Sequence, residues 1–259
     1  MSPVPLPHTL IGHGPHHVLV VHGWFADRAA YDRLLPDLDL DAFSYAFVDL
    51  RGYGEARDLP GRYTTAEAGA DLVATADALG WERFSLIGHS MGGCVVQRAL
   101  VAAPERVRRL VGIAPVPAIG IPFPPEQWEL FASAGDLAES RSAIIDFTTS
   151  GVRPRAWVRR MTEQSLERSD AKAFRAWLDS WALEDFHQEI AGLALPVRVL
   201  TGELDQAITP ELIRQTWLRH YPHATEVRLP STGHYPMEET PLQLISAIEE
   251  FLGEDDPES

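Results

Sequence analysis

The 259-residue chain contains one cysteine, Cys94, one lysine, Lys172, and no asparagine. A single cysteine excludes an internal disulfide framework and any metal site built on several thiolates. The missing asparagine excludes N-linked glycosylation. No apolar run approaches the length of a membrane span. Positive charge is also scarce: 22 lysine and arginine residues stand against 37 aspartate and glutamate residues, a formal net charge of −15. Nucleic acids and anionic membranes repel so acidic a chain, and neither is an expected partner. The stretch Met1-Ser2-Pro3-Val4-Pro5-Leu6-Pro7 lacks the basic and then apolar regions of a signal peptide, so a cytoplasmic protein is the expectation.

What is present is an ordinary globular composition, 45% hydrophobic and 23% charged. The length suits one sizeable domain with a decorated core. Apolar runs at 18–21, 43–48, 83–87, 109–114, 195–201 and 225–229 read as strands, with room for one short strand before them at about 8–11. Continuous β-branched runs such as Val18-Leu19-Val20-Val21 suit strands covered on both faces. Helical spacing falls between the strands, at 28–38, at 65–79, directly after Ser90, at 210–220 and at 241–251. Thr64 or Thr65 caps the 65–79 helix and Gly80 lies just past its end. The alternation predicts an α/β fold with a mostly parallel sheet flanked by helices. The acidic tail 253–259 is expected to fray.

That alternation stops after Pro115. Residues 118–194 show no strand, only helical patterns at 125–134, 136–149, 154–168 and 170–184 that carry Trp128, Trp157, Trp177 and Trp181. The expectation is an all-helical cap at 118–194, inserted in a core formed by 1–117 and 195–259.

The chemistry gathers at Gly88-His89-Ser90-Met91-Gly92-Gly93, where a strand pattern turns sharply into a helical one. A serine at the tip of such a turn needs small neighbours, because strand and helix cross closely there. The new helix also aims its unpaired N–H groups and positive dipole end at the place where an oxyanion forms in acyl transfer. A serine hydroxyl is a weak nucleophile, so it needs a histidine to take its proton and a carboxylate to orient that histidine. The chain offers Ser90, Asp205 and His234, each just past the C-terminal end of an expected strand. Open parallel sheets place their ligands at that edge.

With His22-Gly23-Trp24, Gly88-His89-Ser90-Met91-Gly92-Gly93, Gly202-Glu203-Leu204-Asp205 and Gly233-His234-Tyr235-Pro236-Met237-Glu238-Glu239 together, the chain resembles the α/β-hydrolase-fold serine hydrolases from about Val18 to Leu252. The resemblance implies Ser90 as nucleophile, His234 as general base and then acid, and Asp205, rather than Glu203, as the orienting carboxylate. It implies an oxyanion hole made of the backbone N–H groups of Met91 and Trp24. It places His22 as a brace below that hole, His89 as a residue filling the turn, and Asp49 and Arg51 as structural loop residues. Family members usually carry a fuller two-stranded hairpin at the front, which leaves the strand count of this sheet open.

A serine rather than an aspartate nucleophile points to an acyl-enzyme. The leading expectation is hydrolysis of a carboxylic ester with a small or medium apolar acyl group, needing neither metal nor organic cofactor. Trp128, Phe131, Phe147, Trp157 and Trp181 are the cap aromatics expected to line the pocket. The alternatives are a carbon–carbon bond hydrolase for ring-cleavage products, a lactonase and, from another class, a ligand receptor with little turnover.

Overall fold

The computed structural model describes residues 2–254. Of the tail expected to fray, residues 255–259 lie outside the described part. The strand runs form one seven-stranded sheet: β1 His8–Gly12, β2 His16–Val21, β3 Phe43–Val48, β4 Phe84–His89, β5 Val107–Ile113, β6 Val197–Gly202 and β7 Ala224–Leu229. Their spatial order is β1-β3-β2-β4-β5-β6-β7. Every neighbouring pair is parallel except β1 with β3, where His8 faces Val48 in antiparallel register. The short front segment therefore joins the sheet as an edge strand, which settles the strand count left open above.

Helices cover the sheet. They are α1 Thr65–Ala78, α2 Met91–Ala102, α3 Pro125–Ser133, α4 Ala138–Thr148, α5 Arg155–Arg168, α6 Ala171–Leu183, α7 His187–Ile190, α8 Pro210–Gln215, α9 Trp217–His220, α10 Pro236–Glu239 and α11 Pro241–Leu252. Thr64 caps α1 by accepting the Glu67 N–H, and Gly80 leaves the helix with φ +71°. No helix among the described residues is long and apolar enough to cross a membrane. All the helical patterns expected between β5 and β6 are present as α3 to α6, followed by the short α7 that the spacing did not reveal.

Two expected helices are broken. Residues 28–38 form two short 3₁₀ turns, Arg28–Tyr31 and Leu35–Asp37, instead of one helix. Pro36 has no N–H to continue an α-helix and disfavours the helical conformation of the residue before it. The 210–220 pattern is interrupted at Thr216, which leaves helical geometry with φ −121° and ψ −86°. The Thr216 hydroxyl bonds back to the Leu212 carbonyl at 2.6 Å, a side-chain bond that competes with the helix ladder.

Val18, Leu19, Leu86, Leu110 and Leu200, from the four adjoining strands β2, β4, β5 and β6, are fully buried. Each such side chain contributes about 1.5–3 kcal/mol by leaving water. Beside this apolar core lies a buried ion pair. Arg51 reaches both oxygens of Asp71, at 2.6 and 2.9 Å, with side-chain exposures of 2% and 0%. Asp71 also accepts the Val4 N–H at 2.9 Å. Asp49 accepts the N–H groups of Arg28 and Glu55 and pairs with the Arg28 guanidinium. Both residues thus scaffold the loop after β3, as expected.

Removing one partner of a buried pair strands the other charge. Arg51→Met is expected to lower unfolding stability by about 3–5 kcal/mol in denaturant titration. A loss below about 1 kcal/mol would show that the pair does not organise this loop.

Candidate active site

The start of α2 lies so close to the ends of β4 and β2 that neither flanking glycine can carry a side chain. A Cβ on Gly88 would lie 2.3 Å from the Gly92 carbonyl oxygen, and one on Gly92 would lie 2.8 Å from the carbonyl oxygens of both His22 and Val21. Ser90 stands between them with φ +52° and ψ −118°. Such a backbone costs an L-residue on the order of 1–3 kcal/mol and persists only when its surroundings hold it. Here the Ser90 N–H donates to Ile113 at 3.0 Å, while its carbonyl accepts from Gly93 at 2.8 Å and Val116 at 2.9 Å.

The parallel strands bring three loops to the same sheet edge. His234, after β7, places Nε2 2.9 Å from Ser90 Oγ and Nδ1 2.7 Å from Asp205 Oδ2. Asp205, after β6, is fixed in turn, its Oδ1 accepting the N–H groups of Ala207 at 2.8 Å and Ile208 at 3.1 Å. Asp205 and His234 are both buried, whereas Ser90 is partly open. Glu203 is exposed and accepts the Ser231 N–H, so Asp205 is the carboxylate that meets the histidine. With Nδ1–H donated to Asp205, Nε2 is left to accept from the serine hydroxyl, and the line can move a proton off Ser90.

The third loop follows β2. A Cβ on Gly23 would come within 3.1 Å of Ser90 Cβ, so the Gly23-Trp24 backbone lies directly against the serine. Met91 is the first residue of α2, where backbone N–H groups have no partner within the helix. Neither the Met91 nor the Trp24 N–H has a protein acceptor among the described residues. Trp24 is anchored by its indole N–H, which donates to the Phe174 carbonyl at 2.8 Å, and its ring stacks on Phe174 at 4.1 Å.

Two buried histidines hold these loops. His22 donates from Nδ1 to the Gly23 carbonyl at 2.8 Å and accepts the Leu50 N–H on Nε2 at 3.1 Å. Burial lowers its pKa, only partly offset by Asp49, and the bond accepted from Leu50 requires an unprotonated Nε2. His89 donates from Nε2 to the His234 carbonyl at 2.8 Å, and its Nδ1 would lie 2.6 Å from a Cβ on Gly23. Burial first, and then the neighbouring His234, push the His89 pKa down to about 3. Both rings therefore brace the site.

Above Ser90 opens a cavity of about 120 Å³. Phe131, Phe147 and Trp181 line it, and so do Trp24, Phe25, Phe123, Ile144 and Tyr235. Trp128 and Trp157 do not. Trp128 packs on Phe123 at 6.4 Å between ring centres, and Trp157 meets the ring of Tyr235 at 5.8 Å, so each stands behind an aromatic that does line the cavity. Phe25 and Tyr235 were within reach of sequence reasoning, being adjacent to Trp24 and His234. Phe123 and Ile144 gave no such signal. The polar side chains on the wall are Ser90, Gln127, Thr148, Gln206, His234 and Tyr235, with no lysine, arginine, aspartate or glutamate among them.

A seven-stranded sheet with a strained serine turn, facing a histidine and an aspartate at one edge, defines a hydrolase-type scaffold. Residues 16–241 match the family described as alpha/beta hydrolase fold, and the chain belongs to it. A pimeloyl-[acyl-carrier protein] methyl ester esterase of Nitrosomonas europaea is 29% identical over 252 residues, covering 92% of this chain and 96% of the relative. An esterase from Exiguobacterium antarcticum superposes with a TM-score of 0.86 at 17% identity, covering 98% of this chain and 100% of that one. The enol-lactonase of Burkholderia xenovorans superposes with a TM-score of 0.83 at 21% identity, covering 96% of each chain.

The bracing histidines make folding sensitive to acid. The folded His89 binds its proton only near pH 3, whereas an unfolded histidine binds one near 6.5. Between those values the unfolded chain gains protons that the folded chain refuses. The stabilisation is complete above about pH 6.5 and declines as pH falls, by up to about 1.4 kcal/mol per unit. The unfolding midpoint should fall between pH 6.5 and 4.5, and fall less in His89→Gln. An equal fall in that variant would mean His89 is not the group responsible.

Proposed function

We propose that the protein is a serine hydrolase that cleaves carboxylic esters of small or medium, apolar and uncharged substrates through an acyl-enzyme on Ser90. The observation that carries this reading is the hydrogen-bonded line from Ser90 through His234 to Asp205, opening on a cavity whose wall holds no lysine, arginine, aspartate or glutamate.

Ser90 Oγ attacks the ester carbonyl as its proton passes to His234 Nε2. The carbonyl oxygen takes up the negative charge and is met by the Met91 and Trp24 N–H groups. Asp205 stays ionised and stabilises the imidazolium. His234 then protonates the departing alkoxide, the C–O bond breaks, and the acyl group remains on Ser90. Water enters, gives a proton to His234, attacks the acyl carbonyl and releases the acid. The Ser90 oxygen recovers its proton from His234. One lost oxyanion donor costs about 2.7–4 kcal/mol of activation free energy in enzymes of this kind.

The division into a core of 1–117 and 195–259 and a cap of 118–194 belongs to the same proposal. In its support, Phe123, Phe131, Ile144, Phe147 and Trp181, which line the cavity, all come from 118–194. The Nitrosomonas relative is named for a methyl ester, and a small alcohol suits a cavity of about 120 Å³. The dienoate substrate of a carbon–carbon hydrolase would bring a carboxylate to a wall that offers no arginine or lysine.

Hydrolysis of p-nitrophenyl butyrate and of an equally long ester ending in a free carboxylate tests the reading. The uncharged ester is expected to have a kcat/KM at least about tenfold higher. Ser90→Ala is expected to lower kcat by about 10⁴-fold or more with the unfolding midpoint retained. A retained rate in that variant, or preference for the charged ester, would contradict it.

A further inference from the structure

His234 sits on a loop whose backbone is gripped by one carboxylate. Glu239, in α10, has a side-chain exposure of 1%. Its Oε1 accepts the Tyr235 N–H at 2.8 Å and its Oε2 accepts the Gly233 N–H at 2.8 Å, so a single side chain holds the N–H groups of the two residues that flank His234. A buried carboxylate needs a counter-charge, since an uncompensated one either takes up a proton or draws in water. That charge comes from the inserted helices. Arg153 lies between α4 and α5, with Nη2 2.6 Å from Glu239 Oε2 and donating to the Ser231 carbonyl at 2.7 Å.

The same turn reaches the active-site loops at two more points. The Thr148 carbonyl accepts the His234 N–H at 3.1 Å, and Ser150 Oγ donates to the carbonyl of Leu204, beside Asp205, at 2.7 Å. Gly233 permits this closeness, because a Cβ there would stand 3.0 Å from both Glu239 Oε2 and Thr149 Cα. The turn itself is sharply bent, with φ +55° at Ser150 and +64° at Gly151. Helix α4, which ends in this turn, also lines the cavity with Ile144, Phe147 and Thr148.

We propose that Arg153 is a positioning residue for His234, acting through Glu239, so that the inserted helices set the geometry of the proton-accepting imidazole. This rests on the reading of His234 as the general base. Without Arg153, Glu239 is left buried and unpaired, and a proton or a water on Oε2 displaces the Gly233 N–H. The loop then loosens at the one place where the 2.9 Å approach to Ser90 and the 2.7 Å approach to Asp205 must hold together. Displacements on the order of 1 Å at a reacting group cost up to about 100-fold in rate.

The test uses the full chain and Arg153→Met, Arg153→Lys and Glu239→Gln, with p-nitrophenyl butyrate kinetics and amide hydrogen exchange followed by NMR. Arg153→Met is expected to lower kcat by about 10- to 100-fold with KM within about twofold, and Arg153→Lys to recover most of the loss. Glu239→Gln should match Arg153→Met, and the double variant should be no worse than either alone. Exchange of the Gly233 and Tyr235 amides should quicken at least about tenfold in Arg153→Met, while amides of β4 keep their rates. Unchanged exchange at Gly233 and Tyr235, a rise shared equally by β4, or a lost kcat that lysine does not restore would overturn the proposal. A wild-type chain inert toward esters would sink the esterase reading instead, and the exchange rates would still decide whether the clamp exists.

Discussion

The close crossing of β4 and α2 is the constraint on which the rest depends. Because a Cβ at Gly88 or Gly92 would run into backbone, the chain can turn there only through a strained residue, and that residue is Ser90 at φ +52°. The strain is held by hydrogen bonds to Ile113 at the end of β5, Gly93 in α2 and the buried loop residue Val116. In return the hydroxyl stands clear of its own strand, beside the first N–H groups of α2. Parallel strand order then brings the ends of β2, β6 and β7 to the same edge, so that Asp205, His234 and the Gly23-Trp24 backbone gather at one serine from separate loops.

The inserted helices have two kinds of contact with this centre. They wall the cavity with apolar side chains, and through the turn after α4 they touch the backbone of the histidine loop and of the acid loop. Trp24 makes a third link, since the loop that carries its N–H is pinned to α6 through the Phe174 carbonyl. Substrate selection and proton transfer therefore share structural parts. An uncharged wall favours apolar acyl groups because nothing on it offsets the cost of stripping water from a charge.

Much of this was legible in the order of residues. Strands such as Val18-Leu19-Val20-Val21 are apolar on both faces because both faces are covered, and that pattern survives in the sequence. Ser90, Asp205 and His234 were legible because each comes just past the end of an expected strand, and strand ends share an edge in a parallel sheet. Local pattern failed where one residue overrides its neighbours, as Pro36 does at 28–38 and Thr216 does at 210–220. It also failed for contacts between distant segments. Nothing in the spacing of Trp128 and Trp157 tells that other aromatics stand between them and the cavity, and nothing links Arg153 to Glu239 before the chain is folded.

The proposed route passes an acyl group through Ser90. Rapid mixing of the protein with p-nitrophenyl butyrate, acid quench and mass spectrometry of the digested chain tests it most directly. The account predicts a butyryl group on the peptide containing Ser90, located on that residue by fragmentation. Turnover with Ser90 unmodified throughout, or with the acyl group on another side chain, would contradict it.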